Sequence, residues 1–165
     1  LSKRAISKYC ERMLECDREL IKENELIFKS LEYDLQTELE IFPWGESKLI
    51  KVKGISDRMD KLNGILRIID YKTGKEKDDN LQLLFLYAVC VLKKTGVKEL
   101  QSLITNLRQA ENPEMPLTIF KNTRITDEHT ILLQKALSEI IAEMLDENTL
   151  FEHNPESKYC LFCNS

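Results

Sequence analysis

Several things are missing from this sequence, and each absence removes a class of protein. No apolar run approaches the ~20 consecutive residues that a membrane-crossing helix needs. The first 27 residues carry charges throughout, unlike a secretory leader. The expectation is a soluble domain without a membrane partner. Cysteine is sparse and odd in number. Cys10, Cys16, Cys90, Cys160 and Cys163 do not make the dense, even framework of a small secreted fold, so a reducing, cytoplasmic setting is expected. Positive net charge is lacking too. A formal charge of -4 argues against a free-standing, nonspecific nucleic-acid binder, whose affinity would come mainly from neutralising phosphates. There is no internal repeat and no low-complexity tract.

What is present suffices for one core. With 165 residues, 42% of them hydrophobic, residues 1–165 read as a single domain, too short for two ordinary ones. The chain opens on Leu1 and stops two residues after a cysteine pair, so a C-terminal piece of a larger protein is expected. Charge is unevenly spread. From Lys48 to Lys75 there are eight basic residues against Asp57, Asp60 and Asp70, a local excess of +5 in an acidic chain. That stretch reads either as a sheet edge protected by lysines or as a surface facing phosphate.

Hydrophobic spacing outlines the elements. Near-helical spacing over residues 3 to 27 predicts one amphipathic helix or two short ones. Alternation from Leu35 to Phe42 predicts a half-buried strand, ended by Pro43-Trp44-Gly45. Further strands are expected from about Lys48 to Met59 and from Ile65 to Tyr71. Between them, Asn63-Gly64 is a strong hairpin signal, because a type I′ turn needs positive φ at both central residues. If these two form the loop, Leu62 faces Ile65, Asp60 faces Arg67, and Asp57 faces Asp70. A mostly buried helix should cover Leu81 to Leu92, followed by strands at 98–108 and 115–121. Thr126 should cap a long helix from Asp127 to Asp146. The fold class is therefore α/β, a central mixed sheet with flanking helices.

The hairpin register makes a chemical statement. Asp70 and Lys72 project from one face of a strand, and the turn brings Asp57 beside them. Directly opposed Cβ atoms lie ~5 Å apart, and like charges there need a compensating cation. Lys72 supplies part of that charge. A hard divalent ion would supply more, since such ions prefer carboxylate and carbonyl oxygens. A metal between two carboxylates with a nearby lysine suits phosphodiester hydrolysis. By itself Asp-x-Lys on a strand is a weak signal, and two aspartates pointing into water would produce it equally well.

The surrounding residues add specificity. Gly54-Ile55-Ser56-Asp57-Arg58-Met59-Asp60, then Ile68-Ile69-Asp70-Tyr71-Lys72-Thr73-Gly74-Lys75, then Leu81-Gln82 through Tyr87-Ala88 resemble RecB-like members of the PD-(D/E)xK nuclease superfamily, with closest similarity to RecB and AddB-type nuclease domains. The sharp motifs span roughly Leu35 to Leu92. The resemblance implies a restriction-endonuclease-like core and an Mg²⁺- or Mn²⁺-dependent deoxyribonuclease, an exonuclease of recombination and repair working with helicase or other complex subunits. The alternative is an inactive nuclease fold that binds DNA or acts as a scaffold. By similarity, Asp57 and Asp70 are metal ligands, the Tyr71 carbonyl completes the inner sphere, and Lys72 is the catalytic lysine. The family's preceding glutamate is matched by Glu38, with Glu40 of the same parity as the alternative. Gln82, Tyr87, Lys75 and Arg58 are the candidate DNA contacts. Gln82 and Tyr87 stand five residues apart where four is expected, which turns them apart around a helix. The histidines here, His129 and His153, lie downstream of the motifs, so the early-helix histidine of many relatives either belongs to a segment ahead of Leu1 or is dispensed with.

Cys160-Leu161-Phe162-Cys163 has metal-ligand spacing, and in AddB-type relatives such a pair joins an iron-sulfur cluster with a later cysteine and one far upstream. The sequence stops before a later cysteine could appear, and Cys10 or Cys16 could stand upstream, though both fall on a helix face and equally suit packing. Unligated thiols are the default expectation, and a cluster is the alternative. Iron analysis and an absorbance spectrum of anaerobically purified protein decide between them. The expected sample is colourless and iron-free, and a brown, iron-loaded one would overturn that expectation.

Overall fold

The Asn63-Gly64 turn organises the molecule. In the computed structural model, which describes residues 3–72, 78–106, 114–116 and 123–150, Asn63 has φ +50 and Gly64 φ +83. These are the two positive values that a type I′ turn requires. The turn joins β2 (Lys48–Leu62) to β3 (Ile65–Lys72). Leu62 pairs with Ile65 and Asp60 with Arg67, the register expected from the turn alone.

Ahead of this hairpin come α1 (Lys3–Glu23) and β1 (Leu26–Ile41). Here the sequence reading needs correction. The helical pattern drawn to residue 27 ends at Glu23, and the strand expected from Leu35 begins at Leu26. Ile27, assigned to the helix face, pairs instead with Lys61. Pairing with β2 along nearly the whole of β1, from Leu26↔Leu62 to Ile41↔Lys48, holds those residues extended. Local spacing carries no information about that distant partner.

Beyond β3, α2 (Asp78–Thr95) crosses over to β4 (Glu99–Asn106), which lies parallel to β3. β5 (Glu114–Pro116) and the short β6 (Ile125–Thr126) both pair antiparallel with β4. The result is a six-stranded mixed sheet, ordered β1-β2-β3-β4-β5 with β6 also on β4. α3 (Asp127–Leu145) follows Thr126, whose N–H donates to His129 Nδ1 in a reciprocal capping arrangement. Most of the strand expected at 115–121 lies outside the described residues. No helix among the described residues is long and apolar enough to cross a membrane.

The main core lies between the sheet and α2. Leu35, Leu39, Val52, Met59, Leu66 and Ile68 meet Leu84, Ala88 and Val91 of the helix. Each fully buried large aliphatic contributes about 1.5–3 kcal/mol. Even-numbered Val52 and Gly54 serve this side of β2, yet so does odd-numbered Met59, while Arg58 turns toward α1. The alternation therefore changes phase between Gly54 and Met59. The neighbouring strand is irregular at the same level, with a register shift between Phe28 and Ser30 and a positive φ of 45 at Glu32. On the side away from α2, Asp60 is fully buried and takes two bonds from Arg67, at 2.7 and 2.9 Å.

Gly54 marks the closest approach of α2, because a Cβ there would run into the Tyr87 ring. Gly54→Ala is expected to cost about 1–3 kcal/mol through overpacking. Combined with Tyr87→Leu it should cost less than the two separate losses added, because the smaller side chain removes the clash. Urea unfolding of the four proteins measures this. Simple additivity would overturn the packing account.

Candidate active site

The paired ladder of β2 and β3 runs to Arg58↔Ile69 and stops one step short of Asp57 and Asp70. A side chain takes over at that step: Asp57 Oδ2 accepts the backbone N–H of Tyr71 at 2.7 Å. This bond holds Asp57 against the strand that carries Asp70 and Lys72. Lys72 Nζ in turn lies 2.6 Å from Asp70 Oδ2. Asp57, Asp70, Tyr71 and Lys72 are thus gathered at the end of the hairpin away from its turn.

Asp70 is 8% exposed. Burial raises its carboxyl above the usual aspartate range, Lys72 pulls it down, and the neighbouring Asp57 charge pushes it up again. With both aspartates ionised, the trio carries an excess negative charge that Lys72 does not cancel. Beside it opens a cleft of about 500 Å³ lined by Leu31, Glu32, Asp57 and Tyr71. Among the described residues no three His, Cys, Asp or Glu side chains form a metal cluster. The donor set is two carboxylates and, between Asp70 and Lys72, the carbonyl of Tyr71. Oxygen donors and surplus negative charge fit a hard divalent cation.

The other candidates are distributed as follows. Glu38 is exposed and pairs across the strands with Lys51, while Glu40 faces Leu49 and accepts a hydrogen bond from Ser47. Counting along β2, Lys51 stands roughly 20 Å from Asp57 at the rise of an extended strand. The fold therefore does not bring Glu38 or Glu40 to the aspartates. In their place it brings Glu32, which stands opposite Asp57 by the register and lines the same cleft. No local signal marked Glu32, which falls between the helical spacing that ends at residue 27 and the alternation that begins at Leu35.

Arg58 also departs from its expected place as a DNA contact. Its side chain is 5% exposed and is committed to Asp17 at 2.6 Å, Asp60 at 2.8 Å and the Tyr71 hydroxyl at 3.3 Å. Burial opposes its charge, but the Asp17 and Tyr71 bonds outweigh that and raise its pKa further. Burial likewise raises the Tyr71 phenol, with Arg58 pulling the other way. Gln82 is exposed on α2, whereas Tyr87 is half-buried and packs beside Gly54. Lys75, Cys160 and Cys163 lie outside the described residues. Cys10 is exposed on α1 and Cys16 half-buried, while burial in α2 pushes the Cys90 thiol up to about 11 and leaves it a packing residue.

Comparison with known families gives a match to the PD-(D/E)XK nuclease superfamily over residues 2–165. No curated protein matches the chain.

The position of Asp70 has a consequence for stability. A carboxyl whose folded pKa is raised binds more protons in the native than in the unfolded chain, between its ordinary value of 3.8 and the raised one. Native stability falls as pH rises through that window. The metal-free wild type should therefore lose ground to Asp70→Asn as pH rises from about 3.8, and the difference should level off above the raised value. Urea midpoints of both proteins in chelator, across the acidic to neutral range, read this directly. A wild-type advantage that grows with pH would contradict it.

Proposed function

Since the chain belongs to the PD-(D/E)XK nuclease superfamily, we propose that it is a divalent-metal-dependent deoxyribonuclease whose reaction centre is Asp57, Asp70 and Lys72. The observation that carries this reading is two aspartates gathered at the open end of the hairpin, Asp57 bonded to the Tyr71 N–H and close enough for its charge to act on Asp70, with a lysine bonded to Asp70. Such a pair is unfavourable unless a cation joins it.

Asp57 and Asp70 would hold Mg²⁺ or Mn²⁺, with the Tyr71 carbonyl as a third oxygen. The ion would neutralise phosphate charge and supply a water acidic enough to attack. Lys72 favours the ionised form of the buried Asp70 and orients it through its 2.6 Å contact, and its ammonium is placed to stabilise charge developing on phosphate. Glu32, on the wall of the cleft, serves as the further acid that orients solvent beside Asp57. Gln82 on the exposed side of α2, and Lys75 just past β3 in the sequence, are the candidate DNA-backbone contacts.

The RecB-like motifs support the finer reading of an exonuclease acting on DNA in the cytoplasm, in recombination or repair, beside a helicase. The net charge of -4 fits a domain that receives its strand from partner subunits or domains. Degradation of linear single- and double-stranded DNA with Mg²⁺ or Mn²⁺ tests the proposal. Asp57→Ala, Asp70→Ala and Lys72→Ala should each lose about 10²–10³-fold in rate. Glu32→Gln should lose more than Glu38→Gln. Equal residual activity in wild type and all three alanine variants would refute the assignment. A wild type that binds DNA without cutting it would favour the scaffold reading.

A further inference from the structure

Behind the reaction centre, on the side of β2 away from α2, a set of charged bonds leads out to the first helix. Asp17, in the C-terminal half of α1, accepts a hydrogen bond from Arg58 Nη1 at 2.6 Å. The same nitrogen lies 3.3 Å from the Tyr71 hydroxyl, and Arg58 Nη2 lies 2.8 Å from Asp60 Oδ2. Phe28 covers the guanidinium face at 5.8 Å. Arg58 is the chain neighbour of Asp57, and Tyr71 is the residue between Asp70 and Lys72. One buried guanidinium therefore restrains the backbone on both sides of the centre. Tyr71 is held at both ends, by its hydroxyl on Arg58 and by its N–H on Asp57.

The outer partner of this chain of bonds is the easiest to withdraw. The Asp17 side chain is 27% exposed, against 5% for Arg58. Just past its C-terminal end α1 is anchored to the hairpin turn, where the Asn63 side-chain amide donates to Asn24 Oδ1 at 2.7 Å, Asn63 Oδ1 accepts the Glu25 N–H, and the Asn63 N–H donates to the Glu25 carbonyl. About two turns earlier, Asp17 supplies a second attachment. Without it Arg58 keeps its charge and its burial but loses its shortest bond, and it must share Asp60 with Arg67. The guanidinium is then free to shift away from the Tyr71 hydroxyl.

We propose that Asp17 and Arg58 are positioning residues, a clamp through which the docking of α1 sets the placement of Tyr71 and Asp57 and thereby the affinity of the centre for its divalent ion. The ion-affinity part rests on the nuclease reading. The placement of Tyr71 does not. Partners that orient metal-binding groups from one bond away typically contribute 10–100-fold to metal affinity or activity.

Two measurements on the whole chain test the clamp. The first is hydrogen exchange at the Tyr71 amide in the metal-free protein, where the bond to Asp57 should confer protection. Asp17→Asn should raise exchange there while protection in α2 persists, Asp17→Glu should restore it, and Tyr71→Phe should behave like Asp17→Asn. The second is Mn²⁺ titration by calorimetry, in which Asp17→Asn and Tyr71→Phe should each weaken binding by about tenfold or more and the double variant little further. Glu19→Gln, on an exposed pair with Lys22 of the same helix, serves as the control and should change neither. Unchanged Tyr71 exchange in a folded Asp17→Asn protein would overturn the clamp, as would ion affinity equal to that of wild type. A wild type that takes no Mn²⁺ would sink the nuclease reading and the affinity claim with it, and the exchange experiment would then decide the structural clamp alone.

Discussion

Two aspartates are brought near one another just beyond the end of a β-ladder, and the surrounding structure is arranged around that constraint. Peptide groups further down the hairpin satisfy each other, but at Asp57 the strand stops pairing and a carboxylate accepts the Tyr71 N–H in place of a carbonyl. That substitution commits one oxygen of Asp57 and draws its negative charge close to Asp70. Lys72 answers part of the charge from the same face of β3. What remains is a local excess of negative charge at the mouth of a cleft, the condition under which a hard cation binds best.

Holding such a pair together requires a stiff support, and the fold supplies one on each side. Toward α2 the support is apolar: Met59, Leu66 and Ile68 pack with the helix, and Gly54 lets Tyr87 approach the strand. On the other side it is ionic. Arg67 grips Asp60 with two bonds, and Arg58 joins Asp60 to Asp17 and Tyr71. A buried ion pair is a poor source of net stability, since desolvation offsets most of the attraction, but removing one partner costs about 3–5 kcal/mol. A network of that kind fixes geometry more than it adds stability. Ordinary alternation lets one strand serve both supports and puts the neighbours Asp57 and Arg58 to different uses.

Legibility in the sequence followed the range of the interaction. The Asn63-Gly64 turn acts over two residues, and its dihedral demand alone implied the pairing of Asp60 with Arg67 and the meeting of Asp57 with Asp70. Capping at Thr126 and the apolar run of α2 were equally local. The Gly-x-x-Asp-Arg and Asp-Tyr-Lys motifs sharpened the chemistry through family resemblance, and the superfamily match agrees with it at that level. The failures lay where a residue's fate depends on a distant partner. Glu38 matched the glutamate that the family carries ahead of the aspartates, yet cross-strand register places it opposite Lys51. Arg58 looked like a phosphate contact because it is a basic residue in a basic stretch, and it proved to be buried among acids.

From sequence alone came the fold class, the hairpin register and three of the residues at its open end, because turn geometry and strand alternation are short-range and leave few choices. Tertiary structure decided where β1 begins, which glutamate stands beside Asp57 and which way Arg58 points. Those outcomes depend on cross-strand register and on the docking of α1, contacts between residues tens of positions apart. No local pattern of side chains encodes such contacts until the chain has folded.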